Sequence, residues 1–246
     1  MIRPAATFAA LCALLCAGCS ALPFGLSSAE VPPYVPRNAR GPAEWPAGIR
    51  RVAVLPAHDA TGWLTPEFAA TLDPVWTRSL ALAQRAELVA VDRRALAAWA
   101  GRETVDSTDA LPDGLLARIA DATGAQAVLF LDITRCSPYP PLALSFRAKL
   151  VTLPAPQIVW AADESFDSAD TAVARAAAQF ARSNAQSLGD PVSGVQLSPT
   201  RFADYAFQSV AALLPPHPPP PTPAAKETAA RADNPSATSA TPTARP

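Results

Sequence analysis

Proline decides where this chain can build a core. Between Ser20 and Gly48 the backbone is interrupted by Pro23, Pro32, Pro33, Pro36, Pro42 and Pro46, and the run from Pro215 to Pro223 is proline at all but two positions. Each proline fixes its own φ and removes an amide donor, so neither stretch sustains a helix or a central strand. The first stretch reads as an extended tether and the second as a polyproline II rod. The rod runs into a tail of Ala, Thr, Ser, Lys and Glu that lacks the apolar residues for a core and is expected to be disordered to Pro246. That leaves Ile49 to Leu214, one domain by length and long enough for a substantial core.

Within those limits strand and helix alternate. Arg51 to Pro56 and Leu88 to Val91 are short apolar runs, and Ala127-Val128-Leu129-Phe130-Leu131-Asp132-Ile133 is the strongest strand signal in the chain. Thr65-Pro66-Glu67 supplies an N-cap, a proline at the first helical position and an acid in the first turn. Phe68, Leu72, Val75, Trp76 and Leu80 then recur at helical spacing. Asp92 caps a helix with Leu96 and Trp99, and a further helix carries Leu115 and Ile119 and stops at Gly124. Leu142 to Val151 and Gln157 to Ala162 form a hairpin around Pro154-Ala155-Pro156, which is expected to keep its strands short. Asp170 and Ser198 begin the last two helices. The fold class expected is α/β: a mixed sheet of about five strands with flanking helices, the hairpin preceding the last of them.

The N-terminus specifies export. Met1-Ile2-Arg3 is a short positive region, and Pro4 to Ala17 is uncharged and almost wholly apolar. That is shorter than the ~20 residues of a membrane-spanning helix and suits a signal peptide. Leu15-Cys16-Ala17-Gly18-Cys19 resembles a lipobox, with Cys16 standing where an aliphatic residue is usual. The resemblance implies cleavage after Gly18, acylation of Cys19 and, with Ser20 next, sorting to the outer membrane facing the periplasm. The alternative is an ordinary secretory signal cut near Ala21. The expected division is therefore signal 1–18, lipidated cysteine and tether 19–48, domain 49–214 and tail 215–246. With Cys12 and Cys16 removed and Cys19 acylated, Cys136 has no intramolecular partner and is expected to be a buried or half-buried residue at a strand end.

Three ordered segments carry a second resemblance. Arg51-Val52-Ala53-Val54-Leu55-Pro56 with Thr61-Gly62, then Val89-Ala90-Val91-Asp92-Arg93 and Gly124-Ala125-Gln126-Ala127-Val128-Leu129, are similar to motifs of a group of periplasmic domains. That group includes the curli-secretion lipoprotein, the lipoproteins that activate penicillin-binding proteins and the amino-terminal domain of TolB. The resemblance covers about Arg51 to Trp160, departs from the pattern at Ala57-His58, and implies a non-catalytic envelope domain that binds other proteins.

Residues able to carry chemistry are few. His217 lies in the proline rod, so His58, beside Asp59 after the first strand, is the histidine open to a site. A nucleophile such as Ser145 or Cys136 would have to reach it, and no Gly-x-Ser-x-Gly elbow presents one. Neither His-x-x-x-His nor Cys-x-x-Cys occurs in the mature domain, so no metal site and no cofactor is expected. Asp163, Glu164, Asp167 and Asp170 read as a solvated strand-to-helix connection with Asp170 as an N-cap. Trp76, Trp99 and Trp160 are expected in the core. Trp63 is weighed as a core residue against an exposed interface anchor, the core being favoured. His58, Asp59 and Trp63 together form the candidate binding loop.

Twenty basic residues against twenty-one acidic ones leave a net charge of −1, no electrostatic footprint for nucleic acid. The function expected is that of an outer-membrane-anchored adaptor, held to the membrane by lipid on Cys19, binding an envelope protein and compatible with a homo-oligomer. Its tether of 29 residues, Ser20 to Gly48, would reach on the order of 90 Å at about 3.1 Å per residue. A curli-secretion-like pore subunit and a small-ligand-binding envelope protein are the alternatives; an enzyme is not expected.

Overall fold

The structure, a computed structural model, describes residues 31–184, 194–195 and 198–218. The signal peptide, Cys19, the start of the tether and the tail beyond residue 218 lie outside the described residues. The chain divides at residue 33, and the fold is that of the part from Pro33 onward.

In chain order the elements are β1 (Ala39–Arg40), β2 (Arg51–Val54), β3 (His58–Asp59), α1 (Pro66–Ala83), β4 (Glu87–Ala90), α2 (Arg93–Ala100), α3 (Leu115–Thr123), β5 (Ala127–Ser137), β6 (Ala143–Thr152), β7 (Ile158–Asp167), α4 (Thr171–Ser183) and α5 (Pro199–Ala211). The strands form one mixed sheet in the order β1-β7-β6-β5-β2-β4, with β3 added against β5. β2 is parallel to both β4 and β5, whereas β5, β6, β7 and β1 pair antiparallel. The α/β fold and its expected element order are present. The two extra strands, β1 and β3, are each two residues long, too short for any periodicity to announce.

Helix starts follow the residues that cap them. Thr65, Asp92, Asp170 and Ser198 each accept a backbone N–H from the first turn through their own side chains. Gly101 and Gly124 end α2 and α3. The hairpin differs from expectation: β6 and β7 run ten residues each, because Pro154 and Pro156 sit in the turn and leave the ladders intact. β7 therefore takes in Asp163 and Glu164, which are strand residues and not part of a solvated connection.

Two layers cover the sheet. On one face Trp76 of α1, Phe207 of α5, and Phe146 and Phe166 of β6 and β7 pack ring against ring, with centroids 4.9–6.1 Å apart. Such pairs add roughly 0.5–1.5 kcal/mol each beyond the area they bury. On the other face, Leu96 of α2 and Leu115 and Ile119 of α3 close over Ala53, Val128 and Phe130. Beyond Val151 this second layer ends, and the same face of β6 and β7 carries Ser145, Arg147, Asp163 and Ser165.

The segment expected to be a tether is folded from Tyr34 on. Glu164, only 5 % exposed, accepts the backbone N–H groups of Arg37 and Asn38 and the Tyr34 hydroxyl. Tyr34 N–H bonds to Ala172 O at 3.0 Å. Next, Gly41 crosses Trp160 so closely that a Cβ there would lie 2.7 Å from the indole Cδ1. Trp45 is buried and donates its indole N–H to Ile49 O at 2.7 Å, while its own backbone N–H bonds to Pro216 O at 2.7 Å. His217 rests edge-on against the Trp45 ring. The first prolines of the C-terminal rod are thus docked on the strap.

A buried carboxylate serving three donors makes a specific prediction. Glu164→Ala should cost roughly 2 kcal/mol or more and speed amide exchange at Arg37 and Asn38, whereas Glu164→Gln should restore most of both. Denaturant unfolding and hydrogen exchange on the three proteins check this. Unchanged protection in the alanine variant would mean the strap is held by something else.

Candidate functional site

The candidate loop begins where β2 hands its place beside β5 to β3. Leu55 N–H continues the ladder to Leu129 O, and His58 and Asp59 then pair with Asp132 and Ile133. His58, expected in a loop, is therefore a strand residue at the carboxyl end of the parallel half of the sheet, where open α/β sheets gather ligand contacts.

The His58 ring faces the connection between α2 and α3. Its Nδ1 lies 3.0 Å from Thr104 Oγ1 and its Nε2 lies 3.7 Å from Asp106 Oδ2. Asp106 is engaged by the backbone and hydroxyl of Thr108, both at 2.6 Å. Burial pulls its pKa upward, but the Thr108 hydrogen bonds and the nearby His58 and Arg147 outweigh that and hold it below the ordinary carboxylate value. One residue further, Ser107 donates its backbone N–H and its hydroxyl to Asp132. Lys149 of β6 donates to Ser107 O at 3.1 Å.

Asp132 is the centre of this cluster. It is wholly buried in the middle of β5, and desolvation raises its pKa despite the two Ser107 bonds that pull it down. Sequence reasoning read Asp132 as part of an apolar strand and passed over Thr104, Asp106 and Ser107. One acid in an otherwise unbroken apolar run was the available signal.

The geometry pins the cluster's hydroxyls and carboxylates. The Ser107 hydroxyl donates to Asp132, and Asp106 faces His58 at 3.7 Å as a charge neighbour without a hydrogen bond. Among the described residues, neither nucleophile considered from sequence hydrogen-bonds to His58. Ser145 Oγ is 2.7 Å from Ser165 Oγ. Cys136, half-buried on β5, has its thiol pushed up to about 11 by burial and the charge of Asp59. Among the described residues no group of three His, Cys, Asp or Glu side chains is placed to hold a metal ion.

What this end of the sheet does present is an aromatic ring. Asp59 accepts hydrogen bonds from Thr61 N (2.9 Å), Thr61 Oγ1 (2.6 Å) and Leu64 N (2.8 Å), while Trp63 N–H bonds to Thr61 Oγ1. Burial works to raise the Asp59 pKa, yet these bonds hold it below the ordinary value. Gly62 supplies the left-handed turn, with φ +70°. The side chain carried by this tied loop, Trp63, is 88 % exposed. The preference for a core tryptophan is therefore corrected here: the Asp59 turn lifts Trp63 off the sheet, while Trp76 and Trp160 are buried and Trp99 is half-buried. Tyr139, 78 % exposed, follows the end of β5, toward which β3 also runs.

Asp132 makes a pH prediction with a definite sign. Its raised pKa means the folded state holds the proton more tightly than the unfolded chain, so its contribution to stability is lost as pH rises through the raised value. Asp132→Asn should therefore gain stability relative to wild type on going from pH 4 to pH 7. Denaturant midpoints of both proteins across that range test it, and a flat difference would contradict a buried, strained carboxylate.

No family model matches the chain, and no curated protein matches it. Among solved structures the fold is similar to the PelC dodecamer from Paraburkholderia phytofirmans, at 14 % identity over 73 % of this chain and 98 % of that one, TM-score 0.45. It is similar to lipoprotein GNA1162 from Neisseria meningitidis, at 14 % identity over 56 % of this chain and 99 % of that one, TM-score 0.38. The C-terminal domain of LpoB from Salmonella enterica is 19 % identical over 48 % of this chain and 85 % of that one, TM-score 0.31.

Proposed function

We propose that this chain is a lipid-anchored cell-envelope protein, a non-catalytic adaptor that docks onto a partner protein through the loop carrying Trp63. The observation that carries the docking is an 88 % exposed tryptophan on a loop fastened by one carboxylate. A loop so held loses little backbone freedom on binding, and tryptophans are among the residues that dominate interface energetics. The polar groups beneath it bond to one another and leave the indole as the group offered outward.

The sequence Leu15 to Cys19 supports the anchor, and Ser20 supports outer-membrane sorting with the domain in the periplasm. The folded strap shortens the leash, however. From Ser20 to Pro33 there are 14 residues, a reach of on the order of 43 Å at about 3.1 Å per residue. That reach, added to the breadth of the folded part, bounds how far from the anchoring membrane a partner is met. A pore is less well supported, because the long hairpin has one face against helices and the other set with Arg147, Lys149 and Asp163, the reverse of an apolar lipid-facing surface.

Two measurements separate the anchor from the docking. Wild type should incorporate labelled fatty acid and Cys19→Ala should not; equal labelling would sink the anchor. A photo-crosslinker at the exposed neighbouring position 67, used in intact envelopes, should capture a protein. Trp63→Ala should weaken capture about 30-fold, the equivalent of a hot-spot loss of about 2 kcal/mol, with thermal stability unchanged. Equal capture by the alanine variant would remove Trp63 from the interface.

A further inference from the structure

The sheet has two ends, and they are protected unequally. β1 is two residues long and is followed by Gly41-Pro42, so it offers little backbone to a newcomer. β4 ends the other side with four residues, Glu87-Leu88-Val89-Ala90, without proline or bulge. Its single charge, Glu87, is held by Arg51 at 2.9 Å.

The ladder with β2 settles which way the β4 backbone points. Glu87 N–H bonds to Arg50 O and Val91 N–H to Val54 O, both inward. Alternate residues of a strand direct their hydrogen-bonding groups to opposite sides, so Leu88 and Ala90 point N–H and C=O at the open edge. Alongside that edge lies a groove of about 770 Å³ walled by Pro74, Thr77 and Ala81 of α1 and by Ala90 and Val91. It continues past Thr77 and Ala81 to Ala86 and Leu88.

Charge around the groove is unequal too. Asp73 is bonded to Arg93 at 2.9 Å and Arg78 to Asp204 at 3.0 Å, while Asp92 keeps its charge but directs it to the α2 N-terminus through the Ala95 N–H. Arg85, just before β4, donates to Ala83 O, and Arg94 follows the strand's far end. Neither has a carboxylate partner among the described residues.

We propose that the open edge of β4 binds an extended segment of a partner protein as an eighth strand, apolar in its middle and carrying carboxylates toward its two ends. Main-chain bonds to Leu88 and Ala90 supply the pairing, the groove receives alternate apolar side chains, and Arg85 and Arg94 select the acidic flanks. This surface is separate from the Trp63 loop and does not depend on the lipid anchor.

The test uses the full chain in detergent and two dye-labelled, end-blocked peptides, Asp-Val-Thr-Val-Thr-Val-Glu and the same sequence with lysine at both ends. Fluorescence anisotropy should show the acidic peptide binding at least ten-fold more tightly, with an advantage that shrinks as salt is added. Ala90→Pro removes an outward N–H and leaves the inward ladder intact, so it should fold with unchanged circular dichroism and lose binding ten-fold or more. The double variant Arg85→Glu, Arg94→Glu should invert the peptide preference. Equal binding of both peptides, or undiminished binding by Ala90→Pro, overturns the proposal. Self-association abolished by Ala90→Pro would overturn it in favour of a second copy as the occupant. Binding that appears only after deletion of residues 219–246 would overturn it in favour of the chain's own tail.

Discussion

A carboxyl group in the middle of an interior strand ties together much of this fold. β5 is enclosed on both faces through its first seven residues, and Asp132 sits at the sixth. An ionised group there is costly to desolvate unless donors reach it. The donors come from Ser107, in a connection whose neighbouring Val105 is buried against the second core. Fastening Ser107 brings Thr104 and Asp106 over His58, so the α2–α3 connection and the β3 extension hold each other in place. Lys149 adds a tie from β6. In energetic terms, the polar cluster accommodates one buried acid.

Much of this architecture was legible in the sequence, and the reason is local. Caps such as Thr65, Asp92, Asp170 and Ser198 act through bonds within a turn, and amphipathic stripes such as Leu72, Trp76 and Leu80 repeat within one helix. Features that failed to show are those made by distant partners. β1 exists only because β7 offers it an edge. Glu164 was read as solvated because nothing near it in sequence hints that the backbone of Arg37 and Asn38 will close over it. Prolines before residue 48 suggested an unattached segment, yet proline only forbids helix and central strand; it permits a strap lying on a sheet edge. Cys136 and Gly124 behaved as their neighbourhoods implied. The candidate loop was found by position, but the exposure of Trp63 was not, since burial of large rings is a tendency and the hydrogen bonds of Asp59 decide the matter here.

The two halves of the sheet divide the labour. In the parallel half, apolar runs from β2 and β5 are buried on both faces, as parallel strands generally require, while β4 at the edge is only half-buried. In the antiparallel half, the face of β6 and β7 beyond the second layer is open and carries Arg147 with Asp163 at 3.3 Å and Arg135 with Asp167 at 3.1 Å. Exposed pairs of this sort add little stability. They keep a broad sheet face wet and unsuited to nonspecific apolar contact.

The strap also fixes how the domain meets a pull. Tension applied at residue 33 enters the fold at Tyr34, whose hydroxyl is held by Glu164 and whose ring packs edge-on against Phe166 of the aromatic core. Deeper along the strap, Trp45 couples that path to Pro216, so the two ends of the folded part share one mechanical junction. A domain built this way would yield first by peeling a short strap from a sheet edge, a graded release that frees the strap residues while the helices stay packed.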